Sequence, residues 1–264
     1  MMGPAHSLSG AAAWLGVGAA AAALDHPMPW PVVVAGTLIC AGAALAPDLD
    51  HKSATISRAF GPLSRALCAV IDRLSAAVYN ATRGRGERRR SGGHRTLTHT
   101  LPWALMIGCG FSAAAVLGGR WALLIILFVH MVLAVEGLLW RLARVSSDVL
   151  VWLLGAATAW ILAGVMDQPG NGANWLFTGE GQEYLWIGLP IVVGAMVHNI
   201  GDALTISGCP ILWPIPIAGR RWYPVGTPRF MRFRAGAWVE NKVLMPAFMV
   251  LGGAGSLVAL GIVG

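Results

Sequence analysis

Seven predominantly apolar runs, each near the length of a helix that crosses a bilayer, divide this chain: Leu8 to Leu24, Val32 to Ala46, Leu101 to Gly119, Trp121 to Leu142, Val149 to Val165, Tyr184 to Leu204 and Val243 to Val263. A hydrocarbon core about 30 Å thick takes about 20 mostly apolar residues to cross as a helix. The composition agrees, because 56% of the 264 residues are hydrophobic and only 12% are charged, too apolar for an ordinary soluble domain. The expectation is an all-α, polytopic transmembrane bundle of about seven spans, forming a single membrane domain over residues 1–264. Met1 to Gly10 lacks the basic and small-residue pattern of a cleaved secretory leader, so the first run is read as a true span. The four cysteines form no Cys-x-x-Cys pair, and neither a disulfide framework nor a thiolate zinc site is expected.

Lys and Arg predict the orientation. With the N-terminus in the cytoplasm and the spans alternating, every basic residue except Arg120 falls on the inner side, most of them in loops 47–100 and 205–242. The opposite loop, Met166 to Glu183, holds Asp167, Glu180 and Glu183 and no basic residue. This is the pattern of a multi-pass membrane protein with its N-terminus in the cytoplasm. Between the second and third spans, Ala54 to Ala81 alternates apolar residues with Arg58, Arg65, Asp72 and Arg73 at near-helical spacing, which predicts an amphipathic helix along the interface. Arg83 to Gly93, rich in Gly and Arg, reads as a mobile loop.

Four polar motifs interrupt the apolar background. His6 lies just before the first span; Pro47-Asp48-Leu49-Asp50-His51 follows the second; His94-Arg95-Thr96-Leu97-Thr98-His99 precedes the third; and His198 and Asp202 close the sixth. His198 and Asp202 are four apart, hence one helical turn apart on one face. In the charge-derived topology all four motifs reach the cytoplasmic ends of their spans, where ionisable residues are costly unless functional. Imidazole nitrogens and carboxylate oxygens suit a divalent metal, Zn first and Mn or Fe as alternatives. Eight candidates, His6, Asp48, Asp50, His51, His94, His99, His198 and Asp202, are enough for one or two ions. His130, in mid-span, and His26, on the outer side, are read as non-ligands, and Glu136 as an interhelical polar contact. Glu240, at the start of the last span, is a candidate base.

The same residues resemble a known family, the bacterial inner-membrane metal-dependent hydrolases, which include a LexA-binding, membrane-associated member. The likeness runs from His6 through Pro47-Asp48-Leu49-Asp50-His51, His94-Arg95 and Thr98-His99 to His198, Asp202, Thr205, Gly208, Pro210, Trp213-Pro214 and Glu240. Thr100 stands where that family often has Ser, and the Arg-rich stretch before His94 is long. The resemblance implies a multi-pass hydrolase with its metal centre at these positions. The expected chemistry is hydrolysis with Arg95 stabilising anionic charge and Asp50 or Glu240 handling the proton. The surroundings favour membrane lipids as neighbours and an anionic lipid or phosphoester as substrate. The alternative is a non-enzymatic metal-binding scaffold or sensor for a cytoplasmic protein. A cation transporter ranks last, since few ionisable residues lie deep, and nucleic acid is not expected because the basic stretches carry few interleaved aromatics.

Overall fold

Where small residues line a helix, backbones approach closely and association in lipid proceeds by packing rather than by a hydrophobic force. The bundle is assembled on this rule. The structure, a computed structural model, describes residues 1–176 and 182–263; Glu180 of the outer loop lies outside the described residues. Its helices are α1 (Gly3–Ala23), α2 (Trp30–Ala43), α3 (Pro62–Thr82), α4 (Leu101–Leu138), the short α5 (Trp140–Ala143), α6 (Asp148–Met166), α7 (Gly188–Ala203) and α8 (Met245–Ala259). No strand occurs among the described residues. Five segments are long and apolar enough to cross a membrane: Trp30–Asp50, Leu101–Leu138, Asp148–Met166, Leu185–Ala203 and Glu240–Ala259.

The α2 backbone is the axis of the packing. A Cβ on Gly10 of α1 would lie 2.6 Å from the Cys40 carbonyl oxygen, and one on Gly194 of α7 would lie 2.5 Å from the same atom. Both helices therefore rest on one turn of α2, through residues that have no side chain to hold them off. Trp14, Ile39, Leu127, Met131, Trp186 and Ile191 fill the surrounding interior.

The long α4 is two helices. Gly119 takes φ 54° and ψ −142°, which breaks the helix and is open to glycine without steric cost. A straight helix of 38 residues would be about 57 Å long. Instead His99, just before its start, meets His198, while Gly137, near its end, packs on Ser7 one residue from the His6 that stacks on the same His198. The chain must reverse at Gly119, as the separate predicted runs ending at Gly119 and starting at Trp121 require. At this turn Arg120 pairs with Asp167, which also accepts from the Tyr184 hydroxyl, tying together the end of the bundle remote from the polar motifs.

Other boundaries moved for local reasons. Pro4 in the first turn lets α1 begin at Gly3, so His6 is inside the helix rather than ahead of it. After α2 the chain tightens into a 3-10 turn, Ala46–Asp50, with Pro47 at its start. The interfacial helix begins only at Pro62, and Leu63, Leu67, Val70 and Leu74 form an exposed apolar stripe along it at helical spacing. The Arg-rich stretch read as mobile is instead pinned: Tyr79 Oη donates to the Arg88 carbonyl at 3.1 Å, Asn80 brackets the Arg90 backbone, and the Asp72 carboxylate accepts from Gly93 N at 2.6 Å. Glu87 adds a tie to the loop after α7 by accepting from Trp222 N at 2.8 Å.

Candidate metal centre

Three elements deliver four donors to one place. The 3-10 turn after α2 supplies Asp48, the 3-10 turn Leu97–His99 supplies His99, and the last turn of α7 supplies His198 and Asp202 on one face. His99, His198 and Asp202 are buried and Asp48 partly so. Their donor atoms form a compact figure. His99 Nε2 lies 3.3 Å from His198 Nε2, 3.6 Å from Asp48 Oδ1 and 3.7 Å from Asp202 Oδ2. His198 Nε2 lies 3.7 Å from Asp48 Oδ1 and 3.8 Å from Asp202 Oδ2. A tetrahedron with edges of this size has its centre roughly 2.2 Å from each corner, the distance at which zinc takes nitrogen and carboxylate oxygen. Two imidazoles and two carboxylates thus fit a divalent cation in number, spacing and charge.

The hydrogen bonds behind the donors aim them. His198 Nδ1 donates to the Ala44 carbonyl at 2.8 Å, leaving the Nε2 lone pair for the centre. The Thr98 hydroxyl donates to Asp50 Oδ2 at 2.6 Å and takes His99 Nδ1 at 2.9 Å, which orients the second imidazole the same way. Sequence reasoning missed both roles. Thr98 was visible beside His99 inside its motif, but a backbone carbonyl such as that of Ala44 carries no signal in the residue types.

Asp50, His94 and Asp48 make a second group of close donors that shares Asp48 with the first. Asp50 is buried and fully engaged: Oδ1 meets His94 Nδ1 at 2.9 Å, and Oδ2 accepts from Thr98 and, at 3.1 Å, from the Arg95 amide. Arg95 itself has φ 58°, a conformation costly for a residue with a Cβ, and its guanidinium meets Asp202 Oδ2 at 2.7 Å and Thr205 Oγ1 at 3.1 Å.

The remaining predicted residues stand apart. His6 is buried and stacks on His198 with centroids 3.8 Å apart; its Nε2 lies 3.3 Å from Asp202 Oδ1 without the alignment of a hydrogen bond. It backs the first group. His51 packs on His94 at 4.4 Å and bonds Ser53 Oγ at 3.0 Å, belonging to neither group. Glu240 is buried with its oxygens accepting from Met2 N at 2.6 Å and Gly236 N at 2.7 Å, so the structure sets it to fastening the N-terminal segment to the start of the last span. His130 bonds its own helix at Ile126 O, 2.7 Å away, as a non-ligand would.

Two cavities, of about 480 and 540 Å³, lie beside the cluster, and His94 and Arg95 border both. The larger also touches Asp48 and His51 and runs past Leu45, Ile56 and Trp140; Glu136 borders it too.

Burial alone would drive the proton off His99, but the carboxylates of Asp50, Asp48 and Asp202 outweigh it and hold the imidazole above its ordinary 6.5. In the metal-free protein this protonation stabilises the fold below about pH 6.5, and that contribution is lost as pH rises through the raised value. A cation must displace the same proton. Metal affinity is therefore expected to strengthen with rising pH, with proton release on binding; calorimetry in buffers of different ionisation enthalpy checks it.

These features define an integral membrane helical bundle with a buried His/Asp cluster at one end, suited to a divalent metal. The chain belongs to the YdjM inner membrane protein family, whose model matches residues 1–137. The matched part spans α1 to the end of α4 and includes Asp48, Asp50, His94 and His99; His198 and Asp202 lie beyond it. The family's description names a place and no reaction. No match was found among curated proteins or among solved structures.

Proposed function

We propose that the protein is a metal-dependent hydrolase working at the cytoplasmic face of the inner membrane on an anionic lipid or other phosphoester. The observation that carries this reading is the near-tetrahedral set of His99, His198, Asp48 and Asp202, adjoined by the trio Asp48, Asp50 and His94 on the cavity side. The proposed topology has seven crossings with the N-terminus inside. It counts the two halves of α4 separately and adds the 21-residue α1, which is long enough to cross. It is supported by the charge pattern, in which all basic residues but Arg120 fall in the segments read as inner.

A divalent cation, Zn foremost with Mn or Fe as alternatives, would polarise a phosphoryl oxygen and acidify water at neutral pH. The chain's own residues do the rest. Arg95, held by Thr205 and by its backbone bond to Asp50, presents a guanidinium where both cavities meet and where negative charge on a substrate would develop. Asp50 and His94 hold a proton between them at His94 Nδ1, a role for which Glu240, engaged with two backbone amides, is not placed.

One observation favours the alternative of a metal-stabilised scaffold for a cytoplasmic protein. Four protein donors alone make a closed site, whereas three with an open position is the catalytic pattern. The test is release of the product from lipid phosphoesters by purified protein, before and after chelation. Chelator-sensitive turnover restored by metal is expected; full metal occupancy with no turnover on any ester would leave the scaffold.

A further inference from the structure

The smaller cavity has a feature that metal chemistry does not require. Arg88, Arg90, Arg95 and Arg220 all border it, against a single carboxylate, that of Glu87. Glu87 is already committed, with Oε2 accepting from Gly84 N at 2.6 Å and Oε1 from Trp222 N. Among the described residues Arg88, Arg90 and Arg220 pair with no carboxylate. A positive-inside bias places arginines on this side of the membrane, but it does not call for four of them around one recess.

The backbone that carries these arginines is also held in place. Tyr79 Oη secures the Arg88 backbone, and the Arg90 guanidinium lies over the Tyr79 ring, 5.0 Å from its centroid. Arg220 sits at the end of a tight turn closed by reciprocal backbone bonds with Ile217, through Ala218 at φ 48° and Gly219 at φ 76°. Both central residues have positive φ, as a two-residue hairpin turn needs, and an alanine there is strained. Strain of this kind persists where the surroundings over-determine a position. Guanidiniums bordering one recess offer charge-assisted donors to the oxygens of a phosphate, with Arg88, Arg90 and Arg220 free of carboxylates among the described residues and Arg95 paired with Asp202.

We infer that this recess is an anion subsite for a phosphate group, separate from the metal cluster and joined to it through the His94–Arg95 wall. Resting on the hydrolase reading, its consequence is a substrate class: a phosphodiester whose polar leaving portion carries a phosphate of its own. That portion occupies the arginine recess, and the rest of the substrate faces the larger cavity, where Leu45, Ile56 and Trp140 stand beside Arg58, Arg144 and Glu136.

Binding is tested apart from turnover. Chelator-treated, detergent-solubilised full-length protein is titrated with inorganic phosphate by calorimetry. The wild type should bind; Arg88→Gln and Arg220→Gln should each weaken binding about tenfold, the worth of one charge-assisted contact. Arg144→Gln, at the other cavity, should bind like the wild type, and unchanged metal content in the two recess variants would show that they fold. No phosphate binding by the wild type, or undiminished binding in the Arg88/Arg220 double variant, would overturn the subsite. Phosphatidylcholine vesicles with and without phosphatidic acid then distinguish the sources: displacement only by the phosphatidic acid vesicles assigns the recess to a lipid headgroup, and no displacement assigns it to a soluble phosphate. Should chelator-sensitive hydrolysis be found, equal rates on diesters with phosphorylated and neutral headgroups would overturn the substrate class while leaving the hydrolase intact. Absence of all hydrolysis alongside phosphate binding would remove the hydrolase and keep the subsite.

Discussion

His198→Ala is expected to strip the purified protein of bound metal, and His99→Ala to do the same, while His130→Ala keeps it. The two imidazoles supply half of the donors around one centre, with Nε2 atoms 3.3 Å apart. His130, also a buried histidine, has its Nδ1 on its own helix and pairs with no carboxylate among the described residues. Residues that merely orient a ligand cost about 10–100-fold in metal affinity when removed, so loss of a ligand itself should cost on the order of 10³-fold. Elemental analysis, followed by competition with a chromophoric chelator, reads the difference. The comparison with His130 separates a lost ligand from a general disturbance of the bundle.

The second large effect is remote from the metal. Gly194→Ala places a methyl 2.5 Å from the Cys40 carbonyl oxygen and 2.9 Å from the Ala43 Cβ, both on α2. Neither is the end of a flexible side chain, so α2 and α7 must separate. Overpacking of this kind costs about 1–3 kcal/mol. It also reaches the centre, because α7 carries His198 and Asp202 while α2 leads into the turn that carries Asp48, and His198 is held by the carbonyl of Ala44. Gly194→Ala should therefore lower the thermal midpoint and weaken metal binding together. Gly253→Ala on α8, where an added Cβ meets nothing within 4 Å, should do neither.

The residues of the cluster were legible because each is an ionisable residue in an apolar chain, set at the end of an apolar run. Their grouping was less so. His6 looked like a ligand on the approach to a span, but α1 starts at Gly3 and turns the ring onto the face of His198. Glu240 had the chemistry of a base at the start of the last apolar run, yet backbone amides of Met2 and Gly236 claim it, a pairing across 238 positions in the first case that no local pattern encodes. The Arg83 to Gly93 stretch had the composition of a flexible loop, and what holds it is a few distant contacts, Glu87 with Trp222 foremost. The turn at Gly119 was marked only by the boundary between two apolar runs. Apolar periodicity reports the depth of a helix well; it does not report which side chain a neighbouring backbone will capture.

The centre itself is best tested by X-ray absorption at the edge of whichever metal accompanies the protein reconstituted in lipid. A stoichiometric ion surrounded by nitrogen and oxygen alone, at about 2.0–2.2 Å and with outer-shell scattering from two imidazoles, is the expected spectrum. A sulfur neighbour at about 2.3 Å, or protein that takes up no ion when metal is supplied at neutral pH, would contradict the assignment of His99, His198, Asp48 and Asp202 to one cation.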